Sequence, residues 1–575
     1  MAVRSSNDPW KKEMRRFFID IVNMARPYLA SNGGPIILGQ VENEYHWNDP
    51  DYISWCGSLV KQVDVGIPFL MCNGDSANNT INTCNGKDCT TYAEKHGKMY
   101  PGQPLVWTEN EGWYQEWDKQ RLTSHDNRTA EDMSNVVMKW IARGGSYHNY
   151  YMWYGGNNFG RWAGSCVANE YATGVNLQSD GLPNEPKKTH LQRLHHLLGK
   201  YADYLLDSPS QVNNKQKVLV YNTSTATFVL ATKQFAYLYR SGDKGVAFIE
   251  NEANETVVVK FMEIEFTLPA YSSSLVDTSI GMEVYNSGKV DAEGLPTERI
   301  YSTLIDKFSW KAWPEDTLNL EGVLVYDYPV EQLYLTEDQT DYLFYQTSVV
   351  APTSALELLK VESRISNALV LYVDGKYQSA SEICQHNLGP FNYTLEFTTS
   401  KGQTHVLTIL SISLGINTHT EPGEYDLKGI TGRVWLGSQD ITEGHWLHRP
   451  MLQGEIFQVY TTEGTKRVNW DSDWKKYSVQ SLVWYQFTFN APQVKEGYSL
   501  LLDLEGMDRG YMYLNGVNLG RYWLTKIGDV YIQRYYFIPQ SLLKDTGNML
   551  TLLEELRAPA PGNVKLVQST VVVPA

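Results

Sequence analysis

Along residues 1–205 the apolar positions follow two spacings that alternate. Residues 10–29 set Phe17, Phe18, Ile21, Val22 and Met24 on or near one helical face, behind Asp8 as N-cap and Pro9 at the first helical position. Short apolar runs predict buried parallel strands: Ile36, Ile37 and Leu38 after a Gly-Gly-Pro breaker, residues 68–72, a weaker run at 81–84, then Leu105, Val106 and Trp107, and the aromatic run 147–154. Between them residues 51–63 predict a helix. Thr129-Ala-Glu-Asp132 is a capping box that opens a helix running to Arg143, which Gly144 and Gly145 end. Residues 187–205 predict a last helix. Such alternation predicts a parallel α/β unit of about five strands, where a closed barrel has eight.

The texture changes near Val218. Short alternating runs at 218–221, 227–230, 246–249 and 256–260 predict an all-β segment to about Thr278, followed by a linker rich in Gly, Ser and charge. Beyond it the pattern repeats. Tyr345-Gln346 recurs as Tyr485-Gln486, Leu371-Tyr-Val-Asp-Gly375 as Met512-Tyr-Leu-Asn-Gly516, and Leu407-Thr-Ile-Leu410 as Leu550-Thr-Leu-Leu553, the copies about 140 residues apart. A duplicated jelly-roll β-sandwich is expected, with Asp-Gly and Asn-Gly as hairpin turns. The chain therefore divides into residues 1–210 (α/β), 211–284 (small all-β), 285–450 (first jelly-roll with linker) and 451–575 (second jelly-roll).

Chemistry enters where two apolar runs end in acid. After Leu38 come Gln40, Glu42, Asn43 and Glu44; after Trp107 comes Glu109, followed by a Trp- and Tyr-rich loop. Barrels of this type keep their chemistry at the C-terminal strand tips. Two facing glutamates there are the equipment of glycoside hydrolysis, one carboxyl as proton donor and one as nucleophile or base. Nearby aromatics offer flat faces to sugar C–H groups, and Trp113, Tyr151 and Trp153 are candidate platforms. Glu42 and Glu111 are the residues most easily confused with Glu44 and Glu109.

These motifs carry a resemblance. Gly33-Gly-Pro-Ile-Ile37 with Gln40-Val-Glu-Asn-Glu-Tyr45, Trp107-Thr-Glu-Asn110 with Gly112-Trp-Tyr114, and the stretch from Tyr150 to Phe159 resemble the family 35 glycoside hydrolases, the β-galactosidases, and most closely the plant-type members. The resemblance implies Glu44 as acid/base, Glu109 as nucleophile, Asn43 as a contact to the sugar 2-hydroxyl and Tyr151 as a galactose-pocket residue. It implies the fourth to eighth strands of a (β/α)8 TIM barrel, with the first three expected before Met1. Double displacement further asks for a raised pKa at Glu44 and a low one at Glu109. The alternative is a galactoside-binding relative impaired in catalysis because the first strands are missing. Of the family's usual Tyr-rich segment after the last strand only Tyr171 is matched.

Net charge is −16 and no basic stripe occurs, which argues against nucleic acid as a partner. No apolar run has the roughly 18 residues that span a membrane, and no hydrophobic leader follows Met1. Five Asn-x-Ser/Thr triplets stand at Asn78, Asn127, Asn222, Asn254 and Asn392. Cys84 and Cys89 close a short loop over an Asn-Gly turn; they are a disulfide or two reduced thiols, and the family resemblance favours the bridge. Without CxxC pairs or a His cluster no metal site is expected, nor any cofactor. The expected partner is a galactoside or galactan-type carbohydrate, and the expected setting of the full-length protein is secreted, cell-wall or vacuolar/lysosomal.

Overall fold

The computed structural model describes residues 2–74, 77–112, 128–167, 169–172, 174–207, 216–222, 227–241, 244–352, 356–384, 390–416 and 426–574. Five parallel strands stand in sequence order: β1 (Gly39–Asn43), β2 (Phe69–Cys72), β3 (Ile81–Gly86), β4 (Val106–Glu111) and β5 (Tyr147–Tyr151). The helices are α1 (Asp8–Ala25), α2 (Pro50–Val63), α3 (Thr90–Met99), α4 (Ala130–Ala142), α5 (Lys187–Lys200) and α6 (Ala202–Asp207). None of the described helices is long and apolar enough to cross a membrane.

Helix starts follow the side-chain oxygens available to orphan amides. Thr129 accepts from the Asp132 amide at 3.2 Å, as its capping box predicts. At α1 the cap is Asn7, which accepts from the Trp10 amide at 3.1 Å, one residue before the predicted Asp8. Pro9 still falls in the first turn.

The first strand departs from its apolar pattern. Ile36 bonds back to the Tyr28 carbonyl at 2.9 Å instead of joining β2, and Ile37 is 60% exposed. Among the described residues β1 has a sheet neighbour on one side only, and the run before it is only partly covered, Ile36 packing on the α1 and β2 core while Ile37 faces out. Phe17 and Ile21 on α1 are likewise exposed. The strand proper is the polar Gln40 to Asn43 segment, which pairs with residues 70–72 across a bulge between Gln40 and Glu42.

Behind the α/β layer lies a seven-stranded antiparallel sheet over residues 216–286. Val137 and Met138 of α4 and Leu194 of α5 pack on its Tyr237, Phe248 and Leu275. Arg143, at the end of α4, makes a two-pronged bond to buried Glu250 at 2.6 and 3.1 Å.

Two β-sandwiches follow, and they repeat one pattern. Gln346 on strand Tyr342–Val350 donates to Thr408 of the neighbouring strand at 2.9 Å, and Gln486 on strand Val483–Phe489 donates to Thr551 at 2.8 Å. Asp374-Gly375 and Asn515-Gly516 turn equivalent hairpins, all four residues at positive φ. In strand Tyr342–Val350, Leu343 and Tyr345 enter the first sandwich's own core. Their alternates Tyr342 and Phe344 pack against Trp484 and Tyr511 of the second. The second sandwich is assembled from two chain segments: strands Glu298–Ile305 and Lys311–Pro314 pair with Lys565–Val572 and Val483–Phe489. They therefore leave the 285–450 unit in which the sequence reading places them. Antiparallel partners this far away in the chain leave no local mark.

The segment after β5 is strapped to both sandwiches. Cys166 is disulfide-bonded to Cys384, Gly160 donates to the Asn518 carbonyl at 3.1 Å, and Arg161 pairs with Asp341 at 2.8 Å. Asp341 also binds Arg521 at 2.8 Å, and Arg521 reaches Glu555 at 3.2 Å. This web of buried charge fixes the exit from the α/β sheet.

Candidate active site

The polar ends of β1, β3 and β4 meet at one edge of the sheet. Strand parity would put Glu42 and Glu44 on the same face. They part because Glu44 takes a left-handed φ of 53°, its amide still held by the Cys72 carbonyl at 2.8 Å. Glu42 instead turns inward, bonded by Arg4 at 2.6 Å and the Tyr52 hydroxyl at 2.5 Å. Glu44 swings to the strand tips, where one carboxylate oxygen from each of Glu44, Glu109 and Glu111 lies within 4.8 Å of the others.

Asn85, at the tip of β3 and opposite Glu109 in the β3–β4 ladder, knits this cluster. Its amide donates to Glu44 Oε1 at 2.9 Å and to Asn43 Oδ1 at 3.3 Å, and its own oxygen accepts from Thr108 Oγ1 at 2.8 Å. Asn43 Oδ1 also accepts from Gln40 at 3.0 Å. On the far side Asn110 is fully buried, gripped by Arg128 at 2.6 Å and by His148 at 2.9 Å, which locks the backbone between Glu109 and Glu111.

The electrostatics reverse one expectation. Burial first, and then the neighbouring Glu44, push the Glu109 carboxyl up to about 7, with Asn85 working the other way. The low pKa expected at Glu109 is therefore not what the site creates: a half-buried acid beside two others holds its proton. Glu111 is raised too, by burial and then by Glu44, while Lys87 and Arg128 draw it down. The sequence reading sets Glu111 aside, yet its carboxyl joins the cluster. Three oxygens this close could share a cation, or two of the acids could share a proton.

Tyr151, paired with Glu111 in the β4–β5 ladder, shares a 2.7 Å hydrogen bond with Tyr171, so the one matched tyrosine of the later segment does reach this end of the sheet. Trp153 packs on Tyr150, ring centroids 5.3 Å apart. Trp113 lies outside the described residues. Cys84 and Cys89 form a disulfide, and Cys56 and Cys72 are free and buried. Sequence reasoning passed over Asn85, Thr108 and Arg128. For Asn85 a signal existed, a polar residue at a strand tip inside a closed loop.

Residues 1–198 match the family "Glycosyl hydrolases family 35", and residues 482–548 match "Beta-galactosidase, galactose-binding domain". Among curated proteins the chain is similar to "Beta-galactosidase 14" of Arabidopsis thaliana, 31% identical over 96% of this chain and 62% of that protein. It is also similar to "Probable beta-galactosidase 2" of Dictyostelium discoideum, 28% identical over 92% of this chain and 70% of that protein. The chain thus spans 62% of the first relative's length and 70% of the second's.

Proposed function

We propose, from the match of residues 1–198 to family 35 glycosyl hydrolases and of residues 482–548 to the β-galactosidase galactose-binding domain, that the chain releases terminal β-D-galactosyl residues by double displacement. Glu109 attacks the anomeric carbon. Glu44 protonates the departing oxygen and then takes a proton from the incoming water. Asn43 offers its NH2 group to the sugar 2-hydroxyl, its oxygen being already engaged, and Tyr151 lines the galactose pocket. The five parallel strands are read as part of a (β/α)8 barrel.

The observation that carries this reading is the approach of the Glu44 and Glu109 oxygens to within 4.8 Å. Retaining enzymes hold their two carboxyls about 5–5.5 Å apart, inverting ones roughly 6.5–9.5 Å. Two disulfides and exposed triplet asparagines at Asn78, Asn254 and Asn392 support an oxidising compartment outside the cytosol.

One observation favours exchanged roles: it is Glu109 whose proton is held toward neutral pH. Azide rescue separates the two. With an activated aryl β-galactoside, Glu44→Ala plus azide yields the β-galactosyl azide and Glu109→Ala plus azide the α-azide. The opposite pairing of products would exchange the roles, and turnover undiminished in both variants would reject the site.

A further inference from the structure

We propose that Asn85 is the positioning residue of the carboxyl pair, held by the Cys84–Cys89 loop so that one side-chain amide on β3 ties the two acid-bearing strands together. This rests on reading Glu44 and Glu109 as the working pair.

Asn85 is buried and both its amide hydrogens are engaged. One amide hydrogen goes to Glu44 and the other toward Asn43, while its oxygen takes the Thr108 hydroxyl. Those partners fix which way the amide faces, since turning it over would set its oxygen against the Glu44 carboxylate. A chain of donors stands behind it. With its one hydrogen given to Asn85, Thr108 Oγ1 can only accept from its other neighbours, and the Thr83 hydroxyl at 2.9 Å and the Cys72 thiol at 3.0 Å can donate to it. Burial pushes Cys72 up to about 11, so it stays a thiol with a hydrogen to give.

The backbone around Asn85 is pinned on both sides. The disulfide closes residues 84–89, and the Trp107 indole donates to the Gly86 carbonyl at 3.2 Å and the Glu109 carbonyl at 2.7 Å. Thr108 and Glu109 are neighbours on β4, so the same tether reaches both acids. The titratable groups that act on Glu109 are Glu44 just after β1, Cys72 on β2 and Glu111 on β4, while Lys87 after β3 and Arg128 before α4 act on Glu111.

In Asn85→Ala, turnover of 4-nitrophenyl β-D-galactoside by the full chain falls on the order of 10–100-fold, chiefly in kcat. The acid limb of its pH profile moves up by about one unit, because a donor favouring the ionised acid is lost. Asn85→Asp, nearly the same shape with another negative charge, falls further. Thr108→Val, which removes the hydroxyl but keeps the outline, shifts the limb the same way and serves if Asn85→Ala misfolds. Carboxyl titration in chain labelled with 13C-glutamate is read separately, the Glu109 signal being assigned with Glu109→Gln. Its midpoint rises in Asn85→Ala whether or not the unaltered chain hydrolyses a galactoside. A risen midpoint without any turnover would reject the galactosidase reading and keep the positioning role. An unmoved limb and midpoint in folded variants overturn the positioning role even in an active enzyme.

Discussion

Buried acids meet opposite surroundings at the two ends of this chain. Between the sandwiches Asp341 lies against Arg161 and Arg521, and Glu555 against Arg509 at 2.5 Å and Arg521. At the sheet tips Glu44, Glu109 and Glu111 lie against one another, with an amide between the first two and cations only at the margin. Acids matched to arginine hold parts of a protein in register. Acids packed on acids keep a proton that pairing would drive off, and such perturbed groups collect at functional sites. The contrast says which acids can change without loss of fold and which without loss of chemistry.

The largest effect expected is on rate. Glu44→Gln and Glu109→Gln should each lower galactoside turnover by a factor of about a thousand or more. Glu109→Gln should also leave the chain more stable above pH 7. The Glu109 carboxyl is raised on folding, so its contribution is favourable below pH 4.5, its ordinary value, and is lost as pH climbs to about 7. The stabilisation should therefore fade in melting curves taken from pH 7 down to 4.5. A Gln variant that melts lower at pH 8 would mean the acid is paired, not crowded.

Next in size comes the opposite end. Arg521→Met leaves Asp341 and Glu555 each short of a cation and should cost about 3–5 kcal/mol, read from denaturant unfolding followed at the sandwich tryptophans. The pH–rate profile of the remaining folded enzyme should not move. A moved profile would join the two regions that the comparison separates.

The disulfides give the smallest and most selective test. In the chain-entropy account the Cys166–Cys384 bridge, spanning 218 residues, stabilises by about 5 kcal/mol, and Cys84–Cys89, spanning 5, by about 2. Replacing each pair by serine should reverse that order for rate, because only the short loop carries Asn85. Equal rate losses would remove the loop's special standing.

Much of this was legible in the residues. Apolar runs ending in Glu44 and Glu109 pointed to two carboxyls that the fold brings together, Thr129 marked the start of α4, and the paired Asp-Gly and Asn-Gly turns revealed the repeated sandwich. What stayed hidden depends on neighbours distant in sequence. Ile36 to Leu38 read as a covered strand, but β1 has only one sheet neighbour among the described residues. Helix α3 escaped because its Lys- and His-bearing sequence has little apolar stripe. Glu111 looked like a bystander until β4 set it beside Glu44, and the high pKa of Glu109 arises from burial that no spacing expresses. Cys166 and Cys384 lie too far apart in the chain for their pairing to be read.

In the proposed reaction Glu44 and Glu109 address one sugar carbon from two sides. Incubating the full chain with an activated 2-deoxy-2-fluoro-β-galactoside and mapping the adduct by mass spectrometry tests it most directly. One fluorogalactosyl group per chain is expected, on the peptide carrying Glu109 and absent from Glu109→Gln. A label on Glu44, on Glu111 or on another residue, or hydrolysis that proceeds with inversion and leaves no label, would contradict it.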